Sequence, residues 1–152
     1  MSIDKYFMKL ALNEAYKAYK IEEVPVGAVI VKDNRVIATG FNMKESLKDA
    51  TAHAEMVAIK RASEVLNGWR LLGATMYVTI EPCPMCAGAI VNSRLDRLVI
   101  GAKDLKMGVC GSVLNITQNP NLNHRVEMKW GVLEDECSFI MKDFFKKLRN
   151  KR

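Results

Sequence analysis

Apolar residues recur at helical spacing near the start of the chain, at Ile3, Phe7, Leu10, Ala11 and Ala18, and predict an amphipathic helix from Ile3 to Lys20. The period then changes. Val26-Gly27-Ala28-Val29-Ile30-Val31 is a continuous apolar run of strand length, Lys32-Asp33-Asn34 make a turn, and Arg35 to Gly40 return as the second strand of a hairpin. A polar, irregular stretch from Phe41 to Ala52 leads to a second helical pattern. Beyond it the chain predicts a strand from Ala74 to Ile80, a short helix after Pro84 and a strand from Arg97 to Ala102. A loop region from Lys103 to Asn123, a strand from Arg125 to Val132 and a helix from Glu134 to about Arg149 follow. Alternating strands and helices through the middle imply a three-layer α/β/α sandwich, with helices on both faces of a mixed five-stranded sheet. The first two strands pair antiparallel, and the later ones can run parallel through helical crossovers. No internal repeat or low-complexity linker interrupts the pattern, so one domain over residues 1–152 is expected.

The second helix breaks its own pattern. Counting from Glu55 at helical spacing gives Ala58, Ile59, Ala62 and Leu66, while Lys60, Arg61 and Glu64 take the opposite face. A carboxylate therefore points toward the core, two residues after His53, one of two histidines in the chain. A second unusual stretch is Glu81-Pro82-Cys83-Pro84-Met85-Cys86-Ala87, directly after a predicted strand. Pro84 suits the first turn of a helix, where its missing N–H costs nothing. Cys83 and Cys86, three apart, project to one side of that helix, and Ala87 and Ile90 mark the side as inward. The helix N-terminus favours thiolate over thiol.

Two inward thiolates at Cys-x-x-Cys spacing suit tetrahedral zinc, and His53 is the candidate third ligand. His53 and Cys86 both sit at the start of a helix that follows a β segment, and such starts gather along one edge of a sheet. Three protein ligands leave the fourth position to water, whose pKa zinc lowers to about 7. Glu55 beside that water could carry its proton to a substrate. Residues two apart in a helix diverge by about 200°, so His53 and Glu55 can share one site only if His53 lies outside the regular helix. Two other readings stand beside this one. Cys83 and Cys86 could be a redox pair, or the zinc could be structural, closed by Cys110 or Cys137. Core packing accounts for Cys137, which with Ile140, Met141, Phe144, Phe145 and Leu148 forms the apolar stripe of the last helix. Cys110, within Gly108-Val109-Cys110-Gly111-Ser112, is harder to dismiss.

Composition narrows the setting. With 152 residues, 49% of them hydrophobic, the chain can bury a core of its own. Its first residues do not read as a secretory signal, and the longest apolar stretch, Val24 to Val31, is too short to cross a bilayer. A soluble cytoplasmic protein without disulfides is expected. The net charge of +6 favours a polyanionic partner without choosing between RNA and DNA.

His53-x-Glu55 with Pro82-Cys83-x-x-Cys86 resembles the signature of the zinc nucleobase deaminases. Over nearly its full length the chain resembles the bacterial tRNA-specific adenosine deaminases, a family of hydrolases acting on cyclic amidines with a cytidine deaminase-like fold. The likeness runs from Val24-Pro25-Val26-Gly27-Ala28-Val29 through Gly40-Phe41-Asn42, Thr51-Ala52-His53-Ala54-Glu55 and Gly101-Ala102-Lys103-Asp104. It continues in Gly111-Ser112, Leu122-Asn123-His124-Arg125-Val126 and Asp143-Phe144-Phe145.

The resemblance implies hydrolytic conversion of adenosine to inosine at the wobble position of a tRNA, an arginine tRNA by family analogy. His53, Cys83 and Cys86 would hold one zinc ion per chain. A zinc-activated water would attack adenine C6 while Glu55 shuttles a proton to N1 and then to the departing ammonia. By the same analogy the Cys83 backbone N–H helps stabilise the new oxygen, the Ala54 backbone meets the base, Asn42 reads N7, and Val26 walls the pocket. The implied partners are a tRNA anticodon stem-loop and a second copy of the chain in a homodimer. A splayed anticodon loop needs a surface for its flanking nucleotides, for which Asp104, Lys106, Asn123, Phe144, Phe145, Lys146 and Arg149 are candidates. For the last helix there is an alternative. Glu134, Asp135 and Glu136 begin it while Lys146, Lys147 and Arg149 end it, the arrangement its dipole alone would favour. His124 is expected to pack or cap, and neither Trp69 nor Trp130 has an assignable role.

Overall fold

Ser2 starts the first helix: its hydroxyl accepts the Lys5 N–H while its backbone is extended, a side-chain cap. The computed structural model describes residues 2–151. In order they form α1 (Ile3–Lys20), β1 (Gly27–Lys32), β2 (Arg35–Phe41), α2 (Ala54–Leu66) and β3 (Ala74–Ile80). There follow α3 (Pro84–Asn92), β4 (Arg97–Ala102), β5 (Glu127–Lys129) and α4 (Glu134–Asn150). Asp33 and Asn34, both at positive φ (52° and 61°), make the two-residue turn whose twist suits a hairpin. β1 lies between β2 and β3 and is antiparallel to both; β3–β4 and β4–β5 are parallel. The sheet order is therefore β2-β1-β3-β4-β5, the expected mixed five-stranded sheet.

Strand side chains alternate between two cores. Ala28, Ile30, Met76, Val78, Leu98 and Ile100 pack against Ala54, Ala58 and Ala62 of α2 and Ala87 and Ile90 of α3. Val29, Val31, Tyr77 and Val99 pack against Phe7, Met8, Ala11 and Leu12 of α1 and Cys137 and Ile140 of α4. Helices thus cover both faces, which explains why β1, β3 and β4 read as unbroken apolar runs. The alanine stripe brings α2 close to the sheet. A Cβ at Gly40 would stand 2.4 Å from the Ala54 carbonyl oxygen, so only glycine lets β2 pass the first turn of α2.

Three expectations change. β5 spans three residues rather than Arg125 to Val132, because the Val126 N–H bonds to Thr117 O and Trp130 packs at Gly111 instead of extending the ladder. In α4 the buried residues are Cys137, Ile140 and Phe144, whereas Phe145 and Leu148 are 38% and 37% exposed. β1 begins one residue late, since the Val26 N–H turns to Val24 O and its carbonyl accepts the Asn42 N–H. Val26 thereby stands at the end of the sheet, outside the strand.

One carboxylate ties four elements together. Asp4 of α1 accepts two hydrogen bonds from the Arg97 guanidinium (both 2.9 Å), one from Lys129 Nζ (2.8 Å) and one from the Tyr77 hydroxyl (2.7 Å). Arg97 above all holds the Asp4 carboxyl far below the usual carboxylate range. No helix among the described residues is long and apolar enough to cross a membrane. Asp4→Asn should lower unfolding stability in urea by about 1 to 2 kcal/mol near neutral pH, because the half-buried Arg97 and the more exposed Lys129 lose the charge that their hydrogen bonds meet. The folded Asp4 pKa is depressed, so this stability is present above the ordinary value of 3.8 and lost as pH falls below it; the gap between parent and variant should close in acid.

Candidate active site

Two helix N-termini meet at the edge of the sheet where β3 and β4 end. His53 is the residue before α2, extended at φ −75° and ψ 155°, and Cys83 is the residue before α3, extended at φ −75° and ψ 174°. His53 is therefore outside the regular helix, as sharing a site with Glu55 requires. Pro84 occupies the first turn of α3, and Cys86 follows, fully buried. His53 Nδ1 lies 3.6 Å from Cys83 Sγ and 3.5 Å from Cys86 Sγ. The three donor atoms all fall within 4.8 Å of one another, the only such group of metal-binding side chains among the described residues.

These spacings suit zinc. With Zn–N near 2.0 Å and Zn–S near 2.3 Å, a tetrahedral angle separates the two donors by about 3.5 Å. One nitrogen and two sulfurs are also the donor set a tetrahedral zinc site uses, so the residues present fit the ion. Cys110 and Cys137 do not belong to the group. Both are buried, and burial pushes each thiol up to about 12. The structural-zinc reading thereby loses its fourth ligand.

Glu55 faces inward beside the donors, 4% exposed. Burial pushes its carboxyl up to about 7, and the charge on Cys83 adds to the rise. Cys83 moves the other way. A hydrogen bond from the Cys86 thiol, with help from α3 backbone N–H groups and His53, brings it down to about 5, and Cys86 is pushed up as it keeps the proton.

An open cleft of about 980 Å³ rises from this point. Val26, Asn42, Ala54, Asp104, Lys106, Phe145 and Arg149 line it together with His53, Glu55 and Cys83. Asn42 is held by its own hydrogen bonds: Oδ1 accepts the Lys44 N–H (3.2 Å), and Nδ2 donates to Val24 O (3.4 Å). Asp104 Oδ1 accepts the N–H groups of Lys106 and Met107, so it shapes its loop as well as facing the cleft.

Three candidates do not reach it, Lys146 on the exposed side of α4 among them. Phe144 is buried, edge-on to Tyr19 at 5.8 Å, because it lies on the core side of α4. Asn123 is exposed and stands outside the cleft. His124 caps rather than ligates, bonding Leu95 O at 2.7 Å. The cleft also contains residues that the sequence did not single out: Lys44, Lys103, Leu105, Met107, Ser138, Met141 and Lys142. Part of this was legible. Ser138, Met141, Lys142, Phe145 and Arg149 form a helical stripe beside the buried one, and the cleft runs along it.

Comparison with known proteins agrees with the geometry. The MafB19-like deaminase family model matches residues 1–149. A tRNA-specific adenosine deaminase of Bacillus subtilis is 47% identical over 152 residues, covering 100% of this chain and 94% of its own length. The Aquifex aeolicus protein of the same name is 51% identical over 146 residues, 96% of each chain. The chain belongs to the tRNA-specific adenosine deaminases. A solved structure from work on A-to-I editing by tRNA:A34 deaminases superposes with a TM-score of 0.86 at 46% identity, over 89% of this chain and 98% of that one. The fold is accordingly the cytidine deaminase-like sandwich. A guanine deaminase from Nitrosomonas europaea shares that fold at 20% identity, with a TM-score of 0.80 over 92% of this chain and 83% of its own.

The raised Glu55 carboxyl has a measurable consequence in metal-free protein. Below the ordinary value of 4.5 the group is neutral whether folded or unfolded; as pH climbs through about 7, burial of the charge costs stability. Glu55→Gln should therefore stabilise the chelator-treated protein by up to about 3 kcal/mol near pH 8 and leave it unchanged near pH 4, as read from denaturant midpoints.

Proposed function

We propose that the chain is a zinc-dependent hydrolase, acting as a single deaminase domain, that converts adenosine to inosine at the wobble position of a tRNA, an arginine tRNA by family analogy. The observation that carries the proposal is the meeting of His53, Cys83 and Cys86 beside a buried Glu55, at the floor of a cleft with a basic rim. Its relatives are named for the same substrate class. His53 Nδ1, Cys83 Sγ and Cys86 Sγ would hold the ion. When bound, zinc makes a coordinated water acidic enough to serve as a nucleophile at neutral pH.

The chain's own residues do the remainder. Glu55 takes a proton from the attacking water and delivers it to N1 of adenine, then carries the remaining hydroxyl proton to the amino group as the C6–N bond breaks, leaving a carbonyl at C6 and ammonia. In the metal-free protein burial raises this carboxyl to about 7, and a group that takes a proton and gives it back is what the two transfers require. By family analogy the N–H of Cys83, the residue before α3, donates to the new oxygen as it gains charge. Asn42, its carboxamide fixed by Val24 and Lys44, offers a donor to purine N7, while Val26 and the Ala54 backbone bound the base. The base must leave the stack to reach this depth, which an anticodon loop permits at small cost.

The rim then receives the flanking nucleotides. Lys44, Lys103, Lys106, Lys142 and Arg149 place positive charge around the cleft, and Phe145 gives a face for stacking. Of the basic end of α4, Arg149 faces the cleft, whereas Lys147 bonds Asp143 at 3.3 Å and lies over the Tyr19 ring. The dipole explanation therefore suits Lys147 and the RNA explanation suits Arg149. A homodimer acting in the cytoplasm completes the reading, and the exposed Val65, Trp69 and Leu72 offer apolar surface for a second copy.

An arginine anticodon stem-loop should yield inosine, and free guanine should release no ammonia at a comparable rate; the reverse result would make the chain a free-base deaminase. Glu55→Ala should keep zinc at one per chain by metal analysis while turnover disappears. Loss of the metal, or full turnover, would contradict the role assigned to Glu55. Arg149→Ala should flatten the dependence of log affinity on log salt for the stem-loop by about 0.7, the share of one phosphate contact on a single strand.

A further inference from the structure

Glu81 is 3% exposed, forms no salt bridge among the described residues and takes no part in the proton path, yet its carboxylate is fully occupied. Oε1 accepts the Asp104 N–H (3.1 Å) and the Ser112 hydroxyl. Oε2 accepts the N–H groups of Cys110 (2.9 Å) and Ser112 (3.1 Å). Four donors from three residues thus converge on one side chain, about as many as a carboxylate can accept. A Cβ on Gly108 would stand 2.3 Å from Glu81 Cδ, so the loop backbone lies directly against the carboxylate. The next residue adds a further tie, Val109 N–H to Pro82 O at 3.1 Å.

The clamped loop is the cleft wall facing α4. Leu105, Lys106 and Met107 line the cleft from it, and Leu105 and Met107 remain 79% and 54% exposed. Packing anchors only the far end of the loop, where Val109 and Cys110 join the core; the exposed 104–107 stretch has little apolar burial, and there hydrogen bonds to a buried charge set its position. Glu81 is also two residues before Cys83. The same side chain therefore fixes the distance between the wall and the floor of the cleft.

We propose that Glu81 is a positioning residue that holds the 104–112 loop as a preformed wall for the nucleotides flanking the reacting base. The inference rests on reading the cleft as an RNA site. A preformed wall spares the ordering cost that a mobile loop would add on binding, so its loss falls on substrate affinity rather than on the chemical step.

The test is Glu81→Gln. In either orientation of the amide, its NH₂ group faces N–H or O–H donors where an oxygen had accepted two bonds. Hydrogen exchange at the amides of Cys110 and Ser112 should become faster in the variant. With an anticodon stem-loop, KM should rise about tenfold, kcat should stay within about threefold, and zinc should remain at one per chain. Gly108→Ala, which forces a Cβ against the carboxylate, should reproduce the KM effect. The double variant should then fall short of the product of the two, since both act on one contact. If Glu81→Gln folds poorly, Ser112→Ala removes a single accepted bond and should raise KM by about two- to threefold at unchanged kcat. Unchanged KM, or a fall in kcat with KM constant, or loss of zinc, overturns the proposal. Failure of the unaltered protein on the stem-loop would strike the RNA reading itself, and the exchange measurement would still report separately whether the clamp exists.

Discussion

The site depends on two helices beginning at the same place. His53 and Cys83 are each the last extended residue before a helix, so their side chains stand clear of the helical ladder while the turn behind fixes the backbone. Cys86 lies one turn further on, and the three donor atoms come to tetrahedral separation. A hydrogen bond from the Cys86 thiol, helped by the unpaired N–H groups of the helix start, draws the Cys83 thiol down. The buried ground around Glu55 does the opposite to its carboxyl. Two acids a few ångströms apart are thereby driven in opposite directions, one toward a permanent ligand and the other toward a group that can exchange protons near neutrality.

Other buried carboxylates support that arrangement without joining it. Glu23, 1% exposed, accepts the N–H of Glu45 and both the N–H and hydroxyl of Ser46, holding the stretch that leads to His53. Glu81 does the same for the loop after β4. Asp4 uses cations instead and joins α1 to β3, β4 and β5. The contrast follows from what each must hold. Loops have spare N–H groups that a carboxylate can satisfy, whereas strand edges present side chains.

Most elements were legible because both faces of the sheet are covered. That makes the central strands continuous apolar runs, and Ala74–Ile80 and Arg97–Ala102 occur at the bounds their patterns predict. β5 was overextended for a related reason. Its alternation is real, but Val126 gives its N–H to Thr117, a partner that only the folded loop provides. Phe144 and Phe145 show the same limit. Adjacent helical residues differ by about 100° in direction, and the stripe from Cys137 to Leu148 was wide enough to claim both. Contact with Tyr19 of α1 decides that Phe144 is core and leaves Phe145 at the cleft.

Residue type and short spacing are local properties, and the sequence by itself determined them: Cys-x-x-Cys at a helix start, a histidine one residue ahead of another helix, a carboxylate on an apolar stripe. Such features survive any arrangement of the elements because they depend on a single turn of chain. Only the tertiary structure decided which distant parts meet. It put β3 beside β1 rather than beside β2, and so brought Cys83 to His53 across thirty residues of chain. It left Asn123 and Phe144 outside the cleft, added Ser138 and Lys142, and gave Glu81 a loop to hold. Contacts through space follow from sheet order and helix packing, and neither is written in the spacing of neighbouring residues.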